Sequence, residues 1–140
     1  LNPAPAYPLP EAMLAYVDYL TPNETELQTL CGSSSMSVEE AARSLIKFDH
    51  QTVVVTLGEQ GAQYITKHDS HIVPAFHVNP VDTVGAGDAF NAGLAVALAE
   101  GQALADAIRF ANATAAVSIT RQGAAASMPS REEVAVLLKA

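Results

Sequence analysis

Residues 52–61 read Thr52-Val53-Val54-Val55-Thr56-Leu57-Gly58-Glu59-Gln60-Gly61, and this stretch decides the fold class. The first five residues are all β-branched, and Leu57 extends the run. A short, continuous run of this kind suits a strand covered on both faces, as strands of parallel sheets are. Gly58 and Gly61 then mark a tight turn. Beyond it, Ala62 to Thr66 and His71 to Val73 read as paired strands joined across Lys67-His68-Asp69-Ser70. Upstream, Asp18-Tyr19-Leu20-Thr21 is a further short strand.

Helices are expected on both sides. Glu11 to Val17 is a short one. Thr21-Pro22-Asn23-Glu24 opens the next, with Thr21 at the N-cap, Pro22 at the first helical position and Glu24 closing a capping box; Gly32 ends it. Ser37 with Glu40 is a second capping box, opening a helix to about Phe48. A long helix runs from the Gly85-Ala86-Gly87 turn to Glu100, and Gly101 sits where a left-handed closing residue is favoured. Another runs from Leu104 to Thr120 with Leu104, Ile108, Ala111, Ala115 and Ile119 on one face. Arg121 to Met128 is a Gly/Ala-rich loop, and Ser130 with Glu133 caps the final helix. The four prolines within residues 1–10 exclude a helix interior or central strand there. Strands alternating with helices predict an α/β fold with a mainly parallel sheet flanked by helices.

Composition narrows the function classes. The chain has 140 residues, 49% of them hydrophobic and 16% charged, which suits one ordinary domain with a sizeable core. Lys plus Arg total 7 against 15 Asp plus Glu, a formal charge of -8. With no basic cluster to offset that charge, a nucleic-acid partner is excluded. The lone Cys31 cannot form an internal disulfide, which favours a reducing compartment, the cytoplasm. No apolar run approaches the ~20 residues of a membrane helix, so no membrane partner is expected. The first residue is Leu1 and no leader-like pattern follows, so the start reads as a cut in a longer protein.

The chemistry concentrates in Val81-Asp82-Thr83-Val84-Gly85-Ala86-Gly87-Asp88-Ala89-Phe90-Asn91. Small residues let a backbone turn sharply and approach a ligand closely. The helix that follows aims free N–H groups and its positive dipole end at that ligand, which makes an anion site. No Lys or Arg occurs between Lys67 and Arg109, so a phosphate here would be met by backbone amides. The spacing matches neither a Walker A loop nor a GxGxxG fingerprint. Asp88 would share space with a transferring phosphoryl group. There it would either accept the proton of an attacking hydroxyl or simply complement the helix dipole, and spacing alone leaves both readings open.

Asp82-Thr83-Val84-Gly85-Ala86-Gly87-Asp88-Ala89-Phe90 resembles the C-terminal signature of the PfkB family of carbohydrate kinases. Leu1 to Ala6, Leu20 to Glu26, Val55 to Gly61 and Ile119 to Ala124 resemble segments of the family's ribose-phosphorylating members, in the same order. The resemblance covers essentially the whole chain. It implies that residues 1–140 are the C-terminal ATP-binding and catalytic portion of such a kinase, a partial fold. The N-terminal half would then be absent, along with the β-sheet lid through which the full protein forms a homodimer.

The resemblance also assigns roles. Asp88 would be the catalytic base that contacts the sugar, and Gly85, Ala86 and Gly87 the anion hole. ATP would be bound by Asn23, Glu26, Thr56, Leu57, Gly58, Glu59, Gln60, Gly61, Gly87, Asp88 and Asn112. Asn23 and Glu26 match the family's NxxE motif, with Glu26 reaching Mg²⁺ through water; Asn112 matches a position facing adenine. Asp82, Val84, Ser118, Arg121, Gly123 and Ser127 match a monovalent-cation site for K⁺. The reaction implied is transfer of the γ-phosphoryl of ATP to the 5-hydroxyl of D-ribose. Another sugar or nucleoside acceptor, or a nucleotide-binding fragment without activity, are the alternatives.

Plainer readings stand beside several of these. Asn and Glu are common in a first helical turn, both glycines of 58–61 suit a strand-to-hairpin turn, Asp82 suits a turn, Ser127 reads as a loop hydroxyl, and Asn112 could face solvent. His68 and His71 lie in a hairpin connection and read as solvated residues, not as a zinc site. Cys31 has no basic neighbour and reads as a packed thiol.

Overall fold

The computed structural model describes residues 1–139. Six helices and four strands follow in the order α1 (Glu11–Leu14), β1 (Tyr19–Leu20), α2 (Glu24–Cys31), α3 (Val38–Leu45), β2 (Thr52–Thr56), β3 (Ala62–Ile65), β4 (Ser70–Val73), α4 (Ala86–Ala99), α5 (Leu104–Ser118) and α6 (Arg131–Lys139). Short 3₁₀ turns occupy Gly58–Gln60 and Ala125–Ser127. The described residues divide into two compact units: residues 1–57 with 62–72, and residues 58–61 with 73–139.

In the first unit the strands form one sheet in the order β1-β2-β3-β4. β1 pairs with β2 in parallel, Tyr19 opposite Thr52 and Leu20 opposite Val53. β2 pairs with β3 antiparallel, from Val53 opposite Ile65 to Thr56 opposite Ala62. The α/β class holds, but the sheet is mixed, not mainly parallel. The reason is local: β2 and β3 are joined by only five residues and β3 and β4 by four, and links so short permit antiparallel neighbours alone. The apolar run at 53–55 is buried as expected; Val53 and Val55 pack with Leu20, Leu27, Ala41, Ala42, Leu57 and Ile65, while Val54 is buried outside that cluster. Gln51 ties α1 to this layer by donating to the carbonyls of Leu14 (2.5 Å) and Val17 (3.1 Å).

Helix starts are mostly where local chemistry puts them. Ser37 and Glu40 form a reciprocal capping box on α3, and Ser130 and Glu133 exchange the corresponding hydrogen bonds before α6. α2 departs from the Thr21–Glu24 expectation. Its N-cap is Asn23, whose Oδ1 accepts from Glu26 N while Glu26 Oε2 accepts from Asn23 N, both at 2.8 Å. Thr21 cannot cap because it is still in extended backbone: its N–H donates to Leu1 O, and Thr56 N donates to Pro22 O in a parallel bridge of Asn23 with Thr56.

In the second unit α4 and α5 pack closely because small residues face each other. A Cβ at Gly93 would lie 2.6 Å from Thr114 Oγ1 and 3.0 Å from Ala111 Cα. α5 is buried at nearly every position from Ala107 to Ala116, Arg109 and Ala115 excepted. Among the described residues no helix is long and apolar enough to cross a membrane.

Candidate active site

The signature loop sits at the start of α4, in the second unit. Gly85 is the N-cap at φ +81°, a left-handed conformation that favours glycine. A Cβ there would also press on Ala124, 3.0 Å from its Cβ. With glycine as N-cap, no side chain caps the helix. Its first-turn N–H groups therefore face outward for a ligand, apart from Ala86 N, which turns back onto Thr83 O at 3.2 Å. Asp88 follows in the same turn. Its carboxylate is exposed and forms no hydrogen bond or ion pair with another described residue. Asn91, one turn on, donates to Gly87 O at 2.9 Å.

Asp82 holds this loop to the Gly/Ala-rich loop after α5. Its Oδ1 accepts from Val84 N at 3.0 Å and its Oδ2 from Gly123 N at 2.9 Å. These two bonds keep its carboxyl below the ordinary carboxylate range, because each favours the charged form. The contribution is thus complete at neutral pH and is lost only as pH falls through the lowered value. Val81 N and Asp82 N add bonds to Ile119 O at 2.7 and 3.2 Å. Removing both acceptors with Asp82→Ala is expected to speed hydrogen exchange at Gly123 N–H by about tenfold. An unchanged exchange rate at that amide would refute the staple.

The other residues matched to a cation site belong to the same region. Ser118 and Ser127 are fully buried, their hydroxyls donating to Ala115 O and Ala124 O, each at 2.8 Å. Arg121 pairs with Glu133, its N–H donates to Ser118 O, and Val84 is exposed. The donor set is one carboxylate, two hydroxyls and adjacent carbonyls, all with lone pairs left over. Hard, weakly held monovalent cations accept such oxygens, so the residues fit K⁺. Among the described residues no group of three or more His, Cys, Asp and Glu side chains gathers as a metal site.

Beside the loop the second unit contains a pocket of about 510 Å³. Gly58, Glu59, Ala86 and Asn112 line it, with Thr83 of the signature and Ala115 and Ile119 of the α5 face, as do residues not singled out as site residues from the sequence: Ala75, Phe76, His77, Val78, Pro80 and Ala116. Gly61 does not line it but closes its support. Asn112 is buried, against the reading that left it in solvent. Its Nδ2 donates to Val73 O (2.9 Å) and Pro74 O (3.1 Å), so its amide N–H groups hold the pocket wall. In the first unit, Asn23 and Glu26 hold each other as described, Leu57 is buried, and Thr56 ends β2 beside Asn23. Gln60 completes the 3₁₀ turn and is exposed. Glu26 spends one carboxylate oxygen on the cap and keeps the other.

Comparison with known proteins agrees with this geometry. Residues 1–131 match the pfkB family carbohydrate kinase description. The ribokinase of Bacillus subtilis is 44% identical over 138 residues, 99% of this chain and 45% of that protein. A ribokinase structure from Thermotoga maritima superposes with a TM-score of 0.92 at 43% identity, covering 99% of this chain and 48% of that one. Arabidopsis thaliana ribokinase complexed with ribose and ATP gives 0.86 at 34% identity, covering 95% and 44%. A putative ribokinase II from E. coli, in complex with ATP and Mg²⁺, gives 0.80 at 27% identity, covering 91% and 41%. The chain spans about half the length of the relatives it matches, and its α/β fold is a partial ribokinase-like one. On the match across nearly all its residues, the chain belongs to the PfkB family of carbohydrate kinases.

Proposed function

We propose that this chain is the nucleotide-binding and catalytic portion of an ATP-dependent sugar kinase whose acceptor is the 5-hydroxyl of D-ribose. The observation that carries the reading is the unpartnered Asp88 carboxylate in the first turn of a helix that no side chain caps. Asp88 takes the hydroxyl proton as the sugar oxygen bonds to the γ-phosphorus and the bond to the ADP oxygen breaks. The amides of the anion hole, Gly85, Ala86 and Gly87, joined by the first-turn amide of Asp88 and the dipole of α4, stabilise negative charge on the phosphoryl oxygens. Ala86 N contributes once its long bond to Thr83 O yields. The pocket of the second unit takes the adenosine moiety, by its size and apolar lining.

Mg²⁺ and K⁺ complete the proposal. Glu26, with its free carboxylate oxygen, would suit a water in the shell of Mg²⁺, which would supply neutralisation of phosphate charge. K⁺ would be held by the oxygens around Asp82, Ser118 and Ser127, fixing the loops whose geometry sets the amides. The complete kinase is a homodimer acting in the cytoplasm, where Cys31 stays reduced.

The chain covers less than half the length of its relatives, and this favours a second reading: a nucleotide-binding portion that needs the remainder for turnover. Phosphoryl transfer requires both substrates in line, with water excluded. The test is calorimetric titration of the purified chain with ATP and Mg²⁺, followed by an assay of pentose-dependent ADP formation. Binding with turnover greatest on D-ribose supports the first reading. Binding without turnover supports the second, and absence of binding overturns both.

A further inference from the structure

Residues 73–80 form a wall without helix or strand beyond Val73, yet the wall is clamped from three directions. A Cβ at Gly61 would lie 2.5 Å from Ala75 N and 2.7 Å from Pro74 C, so these backbones meet directly. Asn112 donates to the carbonyls of Val73 and Pro74. One helical turn away on α5, the Arg109 guanidinium stands 5.6 Å from the centroid of the Phe76 ring. A wall fixed in this way carries the next residue, His77, at a defined place on the pocket. The His77 imidazole is exposed and makes no hydrogen bond, ion pair or ring contact with another described residue.

We propose that His77 is the specificity-determining side chain that reads the nucleobase, favouring adenine over guanine. This rests on the reading that the pocket takes the base of a nucleotide. Most of the pocket is apolar, and apolar walls hold any flat ring, because every base has a π-face. Discrimination needs an unspent donor or acceptor on the pocket lining that can meet the base edge, since a mismatched edge sets like groups against each other. The Asn112 amide N–H groups are spent on the wall. Glu59 supplies acceptors only. His77 supplies an N–H donor, and a donor and an acceptor on the lining of one pocket complement adenine, which presents N7 next to its N6 amino group. Guanine presents two acceptors, N7 and O6, on the same edge and would leave Glu59 facing an oxygen.

The test measures dissociation constants of this chain for ATP and GTP, with Mg²⁺, in three forms: unaltered, His77→Ala and His77→Gln. The unaltered chain is expected to prefer ATP by about tenfold or more, and His77→Ala to shrink that preference by about tenfold, mainly by weakening ATP. His77→Gln, which keeps an N–H donor, should retain most of it. Because His77 is exposed, the thermal unfolding midpoint should not move in either variant. Equal affinities in the unaltered chain, or a His77→Ala preference within about twofold of the original, would overturn the inference while leaving nucleotide binding intact. If the unaltered chain binds neither nucleotide, the reading of the pocket fails and the inference with it.

Discussion

Asp88→Asn is expected to lower sugar-dependent turnover by about 10²–10⁴-fold, the usual contribution of a positioned general base. The measurement is the rate of ADP formation at saturating ATP and sugar in a form of the kinase that turns over, with nucleotide affinity measured alongside. Asn is nearly isosteric with Asp and cannot accept the hydroxyl proton. Asp88 is exposed and holds no other described residue in place, so the substitution breaks no contact of the fold. Removing a negative charge beside the phosphates relieves repulsion, so ATP affinity should hold or rise. A carboxylate that served only the helix dipole would behave differently. Its loss would cost ~0.3–1 kcal/mol of stability and leave the rate nearly unchanged. The two roles of Asp88 therefore separate on one variant, and an unaltered rate would eliminate the catalytic one.

The elements that the sequence made legible are those set by neighbours within a turn or two. The Ser37–Glu40 and Ser130–Glu133 boxes, the β-branched run of β2 and the Gly85 turn all depend on local chemistry, and all appear as read. The start of α2 was read at Thr21, and misplaced, because the Thr21-x-x-Glu24 frame has the residues of a capping box and so does the overlapping Asn23-x-x-Glu26 frame. Tertiary bonds decide between them: Thr21 is held by Leu1 and Pro22 by Thr56, so the chain stays extended to Asn23. The NxxE pair is thus a structural cap in this unit, whatever else Glu26 does with its remaining oxygen. Asn112 could not be placed from sequence because its partners, Val73 and Pro74, lie 39 and 38 residues away. The wall at 73–80 was silent for a related reason. It has no period to detect, and its order comes from Gly61, Arg109 and Asn112, none of them adjacent in the chain.

The same substitution at two glycines should have opposite consequences. Gly61→Ala is expected to destabilise the chain by about 3–5 kcal/mol, enough to unfold a protein of ordinary marginal stability. Two costs combine. Gly61 has φ +102°, a conformation that side chains rarely adopt, and a Cβ there would meet the backbones of Pro74 and Ala75 at 2.7 and 2.5 Å, where nothing flexible can yield. Gly87→Ala meets neither cost. Gly87 has helical backbone and a Cβ there would point into open space, so Ala should match or improve stability by about 0.5–1 kcal/mol on helix propensity. Glycine at 87 thus lowers helix stability with no packing reason inside the chain, as expected if its Cα side is kept clear for a phosphate. Chemical denaturation of both variants checks the first half, and ATP titration of Gly87→Ala checks the second. The expected result is a stable Gly87→Ala chain that binds ATP at least about tenfold more weakly. Unweakened binding would mean that no phosphate approaches the backbone at Gly87, and the proposed anion hole would have to be given up.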